Sequence, residues 1–307
     1  MKWLALGLVA VAMNPLIADE TGVKIEKLWS EGEFTEGPCR SPDGDIYFSD
    51  IGNRIMKFTV STGKTNTYRD PSMRSNGLKF NKNGELISCE GANTGGGRRI
   101  SITRKGGKPE TLADSWKGKK FNSPNDLTLD SEGWVYFTDP RYVGDESREI
   151  DFEGIFCVKP DGTVIHLPAP GVEKPNGIVF SQDEKTLYVA DNNGKEGGHR
   201  YLWQFPFSKK DLKLGKGTIV YDFKTDRGID GMACTKEGTL VLTAGKGKTA
   251  AIYCVSPTGK LLKTINLPED PSNCCFGGAD EKILFVTAGK SLYRLTFAAP
   301  LPFERKQ

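Results

Sequence analysis

Histidine is almost missing from this chain. There are two in 307 residues, His166 in TVIHLP and His199 in the glycine-rich NNGKEGGHRY, which leaves little imidazole for metal or base chemistry, and no GxSxG elbow offers a serine nucleophile. No CxxC pair occurs among the cysteines, and their number, seven, is odd. A zinc ribbon or a disulfide framework therefore has weak support. Most of the cysteines sit inside apolar strand patterns and read as buried free thiols. No basic block or stripe is present, because 42 basic and 39 acidic residues are interspersed for a net charge of +3. Nucleic acid is accordingly not expected as a partner. GGGRR at 95–99 lacks the Lys-Ser/Thr of a phosphate loop. Asp43, Asp45 and Asp50 lack the spacing of an EF-hand. No segment sustains helical periodicity.

Long apolar runs are also missing, with one exception. Residues 3–13 follow Lys2, are uninterruptedly apolar and end at Asn14-Pro15. That is the length of a signal-peptide core and short for a bilayer span. Residues 1–18 are read as a signal peptide and 19–307 as one folded domain. Export to the periplasm or the medium is expected, with no membrane span in the mature chain.

What the chain has in quantity is a repeat. EGPCRSPDGDIYFSD (36–50), SNGLKFNKNGELISCEG (75–91), SPNDLTLDSEGWVYFTDP (123–140), KPNGIVFSQDEKTLYVAD (174–191), IDGMACTKEGTLVLTAG (229–245) and SNCCFGGADEKILFVTAG (272–289) share one grammar. A polar residue opens a short alternating strand. A tight turn follows, and then a strand of β-branched and aromatic residues. Pieces such as RIMKFTV and GIFCVKP between the units read as third strands. The opening residues Glu36, Asn76, Asn125, Asn176, Asp230 and Asn273 are 40, 49, 51, 54 and 43 residues apart, a four-strand period that matches a propeller blade. The chain is predicted to be all-β, a six-bladed β-propeller of four-stranded blades. VKIEKLWS near the N-terminus is expected to pair beside the C-terminal strands and close the ring, so that no long sheet edge is left unpaired.

In a propeller the first strand of every blade lines the central channel, so equivalent repeat positions form a ring about the axis. Here that ring reads Glu, Asn, Asn, Asn, Asp, Asn. It carries oxygen donors only, with two formal negative charges, which suits a hard divalent cation, Ca2+ above all. Taken singly, Asn or Asp before Gly is a turn former. Six in register, one of them a glutamate that is no turn residue, point instead to a metal site.

With EGP, SPND…YFTDP, PNG…LYVAD, DGMA and SNCCFGG in this order and at blade spacing, the chain resembles the family of gluconolactonases, regucalcin (senescence marker protein) and luciferin-regenerating enzymes. Bacterial gluconolactonases come nearest. The resemblance implies one divalent cation in the channel, usually Ca2+, with Mg2+, Mn2+ or Zn2+ able to take its place. It puts the ligands at Glu36, Asn125, Asn176 and Asp230. It further implies a small-molecule lactone as substrate. The residues themselves suggest opening by water attack on the ester carbonyl, with Asp230 as candidate general base. Asn76 and Asn122 are expected to hydrogen-bond substrate hydroxyls, and Arg141 and Tyr142 to stand on a loop at the mouth. Arg141 replaces a proline common in bacterial gluconolactonases. Two alternatives stay open: a phosphotriester (organophosphate) hydrolase using the same metal site, and a non-catalytic propeller that binds Ca2+ or another ligand.

Overall fold

The computed structural model describes residues 17–18, 22–224 and 226–301. Six antiparallel sheets of four strands stand in sequence order round an axis. Blade 1 comprises Thr35–Arg40, Ile46–Asp50, Arg54–Thr59 and Lys64–Arg69, paired in that order from the inside out. The innermost strands of blades 2 to 6 are Ser75–Phe80, Leu127–Leu129, Pro175–Phe180, Met232–Cys234 and Pro271–Phe276. The outermost strand of blade 6 comes from the other end of the chain. Lys24–Trp29 pairs with Ser291–Thr296 in the register Ile25 to Leu295. Closure of the ring by this strand is as expected from the sequence. Ile17–Ala18 adds a short edge to it, while residues 1–16 of the signal-like segment lie outside the described residues. Among the described residues the only helical element is a single 3-10 turn, Gly247–Thr249. No helix there is long and apolar enough to cross a membrane.

The repeat grammar has a visible backbone cause. In all six units the hairpin turn places a left-handed residue at the same point: Gly44, Gly84, Gly133, Glu184, Gly238 and Glu281. Each donates its amide to a carbonyl three residues back, as Gly44 does to Ser41 at 2.9 Å and Glu184 to Ser181 at 2.9 Å. The two Asp-Glu copies thus make the same turn as the Asp-Gly and Asn-Gly ones, with a glutamate in the strained region.

The core is divided in the same way, into six apolar clusters that each fill one gap between neighbouring blades. Tyr47 and Ile55 of blade 1 meet Leu78 and Leu86 of blade 2. Phe48 and Phe58 of blade 1 meet Phe285 and Leu292 of blade 6. Burying such side chains stabilises by roughly 1.5–3 kcal/mol each. The seven cysteines are buried and unbonded, as their apolar surroundings in the sequence suggested.

The glycine that follows most ring residues marks where adjacent blades touch. A Cβ on Gly37, whose φ is +49°, would lie 2.0 Å from the carbonyl oxygen of Asn76. Gly37→Ala is therefore expected to destabilise the protein by about 3 kcal/mol through overpacking and strain. Denaturant titration checks this, and an unchanged midpoint would contradict the packing described.

Candidate active site

Five of the six ring residues, Glu36, Asn76, Asn125, Asn176 and Asp230, line one cavity of about 420 Å³ at the end of the channel. The fold holds them through their main chains. Hydroxyls on the second strand of one blade donate to first-strand carbonyls of the next: Ser49 Oγ to Asn76 O at 2.7 Å and Thr138 Oγ1 to Asn176 O at 2.8 Å. The same device ties Thr243 Oγ1 to Ser272 O at 2.7 Å. The Gly77 amide donates to Asn125 O, and the Gly177 amide to Asp230 O, both at 2.8 Å. Ring positions are thus fixed by inter-blade hydrogen bonds, and their side chains are free to face the axis.

Glu36 and Asp230 are both buried. Burial pushes the Glu36 carboxyl well above its ordinary range, and the charge of Asp230 pushes it further. The Gly37 amide, donating to Glu36 Oε2 at 2.9 Å, offsets part of this. Burial also raises Asp230, opposed chiefly by Arg227, whose Nη2 donates to Asp230 Oδ2. Arg227 is itself held by Pro271 O at 2.6 Å. It stands three residues before Asp230, and sequence reasoning passed over it because a lone arginine in DRGIDG carries no motif.

The sixth ring residue behaves differently. Asn273 turns to Asp126, donating from Nδ2 to Oδ2 at 3.3 Å. Asp126 stands where most units have glycine, and it is fully desolvated. Burial pushes its carboxyl up from 3.8 to about 6, although Lys79 and the Leu127 amide oppose the shift. The folded state then binds this proton more tightly than the unfolded chain. Stability contributed by Asp126 falls as pH rises from about 4 through about 6. In metal-free protein Asp126→Asn is expected to reduce that fall by up to about 3 kcal/mol. Thermal melts across this range in chelator would show it, and an unaltered pH slope would contradict it.

Tyr142 lines the cavity. Its hydroxyl accepts from Asn176 Nδ2 at 3.2 Å and donates to Asn192 O at 3.1 Å, with Lys174 Nζ 4.7 Å from the ring centre. Asn122 and Arg141 do not reach it. Asn122 is fully buried, and its Nδ2 donates to Phe152 O at 2.7 Å. Arg141 donates to Asn122 O at 2.9 Å and to Glu146 O at 3.0 Å. Both pin the blade 3 loop from behind, so the structure replaces contact with substrate by support of the mouth. Their polarity was legible in the sequence, but the side from which each approaches was not. His199 stacks on Tyr201 and contacts Asp191 and Glu173, away from the cavity floor.

Can these residues hold a divalent cation? Among the described residues no cluster of three or more His, Cys, Asp or Glu is placed to do so. The donors at this floor are two carboxylates and amides. Their chemistry fits a hard cation on two counts. The buried carboxylates lack enough compensating charge, which shows in the raised Glu36. In addition Asn76 Oδ1 is buried with no hydrogen-bond partner, an orphaned acceptor that a cation or its water shell would satisfy.

Comparison with known proteins gives the family and the fold. The model of the SMP-30/Gluconolactonase/LRE-like region matches residues 34–290. A gluconolactonase of Zymomonas mobilis is 31% identical over 306 residues, covering 90% of this chain and 82% of the relative. A regucalcin of Xenopus laevis is 28% identical, covering 87% of each. Among solved structures, a gluconolactonase from Xanthomonas campestris superposes with a TM-score of 0.80 at 26% identity, covering 91% of both chains. A calcium-binding regucalcin from Agrobacterium tumefaciens shares the fold, with a TM-score of 0.71 at 19% identity.

Proposed function

The chain belongs to the SMP-30/gluconolactonase/LRE-like family, and from that premise we propose that it is a lactonase that opens a small lactone with water, dependent on one divalent cation at the channel floor. The observation that carries this reading is the meeting of Glu36, Asn125, Asn176 and Asp230 in a single cavity, although they come from four different blades. Those four side chains would hold the cation, with Ca2+ favoured by an all-oxygen donor set. The bound cation would polarise the lactone carbonyl.

The protein's own groups do the rest. Asp230 accepts the proton of the attacking water, since burial raises its carboxyl and Arg227 holds it in one orientation. Water oxygen bonds to the carbonyl carbon, the ring C–O bond breaks, and the ring oxygen leaves with a proton returned by Asp230. The product hydroxy acid ionises on release. Asn76 offers an amide toward substrate from the cavity wall, and Tyr142 braces Asn176.

A pH-stat assay with a small lactone panel beside a fluorophosphonate ester tests this. Lactone opening that is lost in chelator and restored by Ca2+ is expected. Turnover of the fluorophosphonate alone would favour a phosphotriesterase, and turnover of neither a binding propeller. Export is proposed as well, on the apolar run at 3–13. Mature protein that still carries Met1 would contradict it.

A further inference from the structure

The cavity has two unlike halves. Its polar part is the carboxylate and amide set, with Arg74, Ser123, Asn192 and Arg227 beside it. Its upper wall is Phe34 and Ile51 of blade 1, Ala92 of blade 2, and Tyr142 and Val143 of the blade 3 loop. Seven large apolar side chains are exposed among the described residues, and three of them stand on this wall: Phe34 at 39%, Tyr142 at 40% and Val143 at 55%. The other four, Val60, Tyr68, Ile219 and Leu261, are on outermost strands or the turns leading to them. Concentration of exposed apolar surface at one cavity mouth marks a binding surface.

That wall is built and braced. The Val143 loop is tied down by Arg141, which donates to Gly144 O at 3.3 Å and Glu146 O at 3.0 Å. Glu146 Oε1 accepts from the Asn93 amide at 2.8 Å, joining the loop to blade 2. Gly144, with φ +100°, packs so closely on that blade that a Cβ would lie 2.9 Å from Ala92 Cβ. On the other side Phe34 O accepts from the Ile51 amide at 2.9 Å. Phe34 and Val143 are therefore held facing the opening, while Tyr142 is partly covered by Lys174 and Ala92 is buried against Gly144.

We propose that the preferred substrate is a lactone carrying an apolar substituent, with the ring ester on the carboxylate-amide floor and the alkyl or aryl group against Phe34, Ile51, Ala92, Tyr142 and Val143. The proposal rests on the lactonase reading given above. Arg74, Ser123, Asn192 and Arg227 line the same cavity and can pair with some hydroxyls of a sugar ring, but hydroxyls turned toward the apolar residues find no partner there and lose their bonds to water. An alkyl chain loses only water that the wall also sheds.

The test uses the full chain with Ca2+ and a series of equal ring size: δ-valerolactone, δ-hexalactone, δ-octalactone and δ-decalactone, with glucono-δ-lactone beside them. The kcat/KM is expected to rise about tenfold for every two methylenes until the wall is covered, and to exceed that of glucono-δ-lactone. In Phe34→Ser and Val143→Ser the ratio of δ-octalactone to δ-valerolactone is expected to fall several-fold. Both side chains are exposed, and a thermal melt confirms folding. A flat or falling series in the wild-type protein, with glucono-δ-lactone turned over fastest, overturns the proposal and leaves the lactonase reading standing. Failure to open any lactone of the panel overturns the lactonase reading itself, and this inference with it.

Discussion

Asp230→Asn is expected to lower the kcat of lactone opening by about 10³-fold while the propeller stays folded. Loss of a positioned general base alone costs on the order of 10²–10⁴ in rate. The substitution also removes one of the two charges at the floor, so cation affinity falls too. Asparagine keeps the shape of the side chain and can still accept from Arg227, whose Nη1 remains bound to Pro271 O. The charged carboxylate is costly to bury, as its raised position shows, and removing it takes away that cost along with the ion pair. A near-native melting curve beside a collapsed kcat is the expected pair of results. Turnover at the wild-type rate would remove Asp230 from the mechanism.

The second large effect concerns Glu36 and the cation together. Dialysis against chelator is expected to lower turnover more than about 10²-fold, with Ca2+ restoring it. Ca2+ at a hundred times its dissociation constant is expected to stabilise the fold by about 2.7 kcal/mol, because it binds the folded cage and has no equivalent site in the unfolded chain. Glu36→Gln should lose both responses. The argument is electrostatic. Glu36 is buried, and Asp230 raises its carboxyl further while Arg227 compensates only in part. A neutral amide at 36 relieves that repulsion, so the variant is expected to be no less stable than the wild-type protein without metal. It halves the negative charge that attracts a divalent ion. Differential scanning calorimetry with and without Ca2+ separates these effects. An undiminished thermal shift in Glu36→Gln would place the cation elsewhere.

Much of the fold could be read from the sequence because each blade repeats the same local solution. The tight turn demands a left-handed residue, so Gly44, Gly84, Gly133 and Gly238 announce four of the hairpins. Glu184 and Glu281 keep the turn without glycine, and there the surrounding strand pattern carried the reading. Closure by Lys24–Trp29 followed from the count of strands and the cost of an unpaired edge. The ring at the axis was legible for the same reason, since rotational symmetry turns repeat position into spatial position.

Residues off the repeat were harder to place. Arg141 and Asn122 are adjacent in kind to Tyr142 and Asn125, yet they pin the loop from behind, whereas Tyr142 crosses to Asn176. Which side a loop side chain takes depends on partners such as Glu146 and Phe152, and spacing does not encode them. Arg227 was invisible because its role comes from contact with Asp230 and Pro271. Asp126 stood in plain view within SPND, but only its burial beside Asn273 distinguishes it from a turn residue. The apolar wall was missed because Phe34, Ala92 and Val143 fall between strand patterns, where an isolated apolar residue carries no periodic signal.

The central claim is that blades far apart in sequence gather Glu36, Asn125, Asn176 and Asp230 into one cation cage on which lactone opening depends. Elemental analysis joined to calorimetric titration of chelator-treated protein tests it most directly. One Ca2+ bound per chain in the wild-type protein, none in Glu36→Ala, and activity that follows occupancy are predicted. A wild-type chain that takes up no divalent ion and opens lactones at full rate in chelator would contradict it.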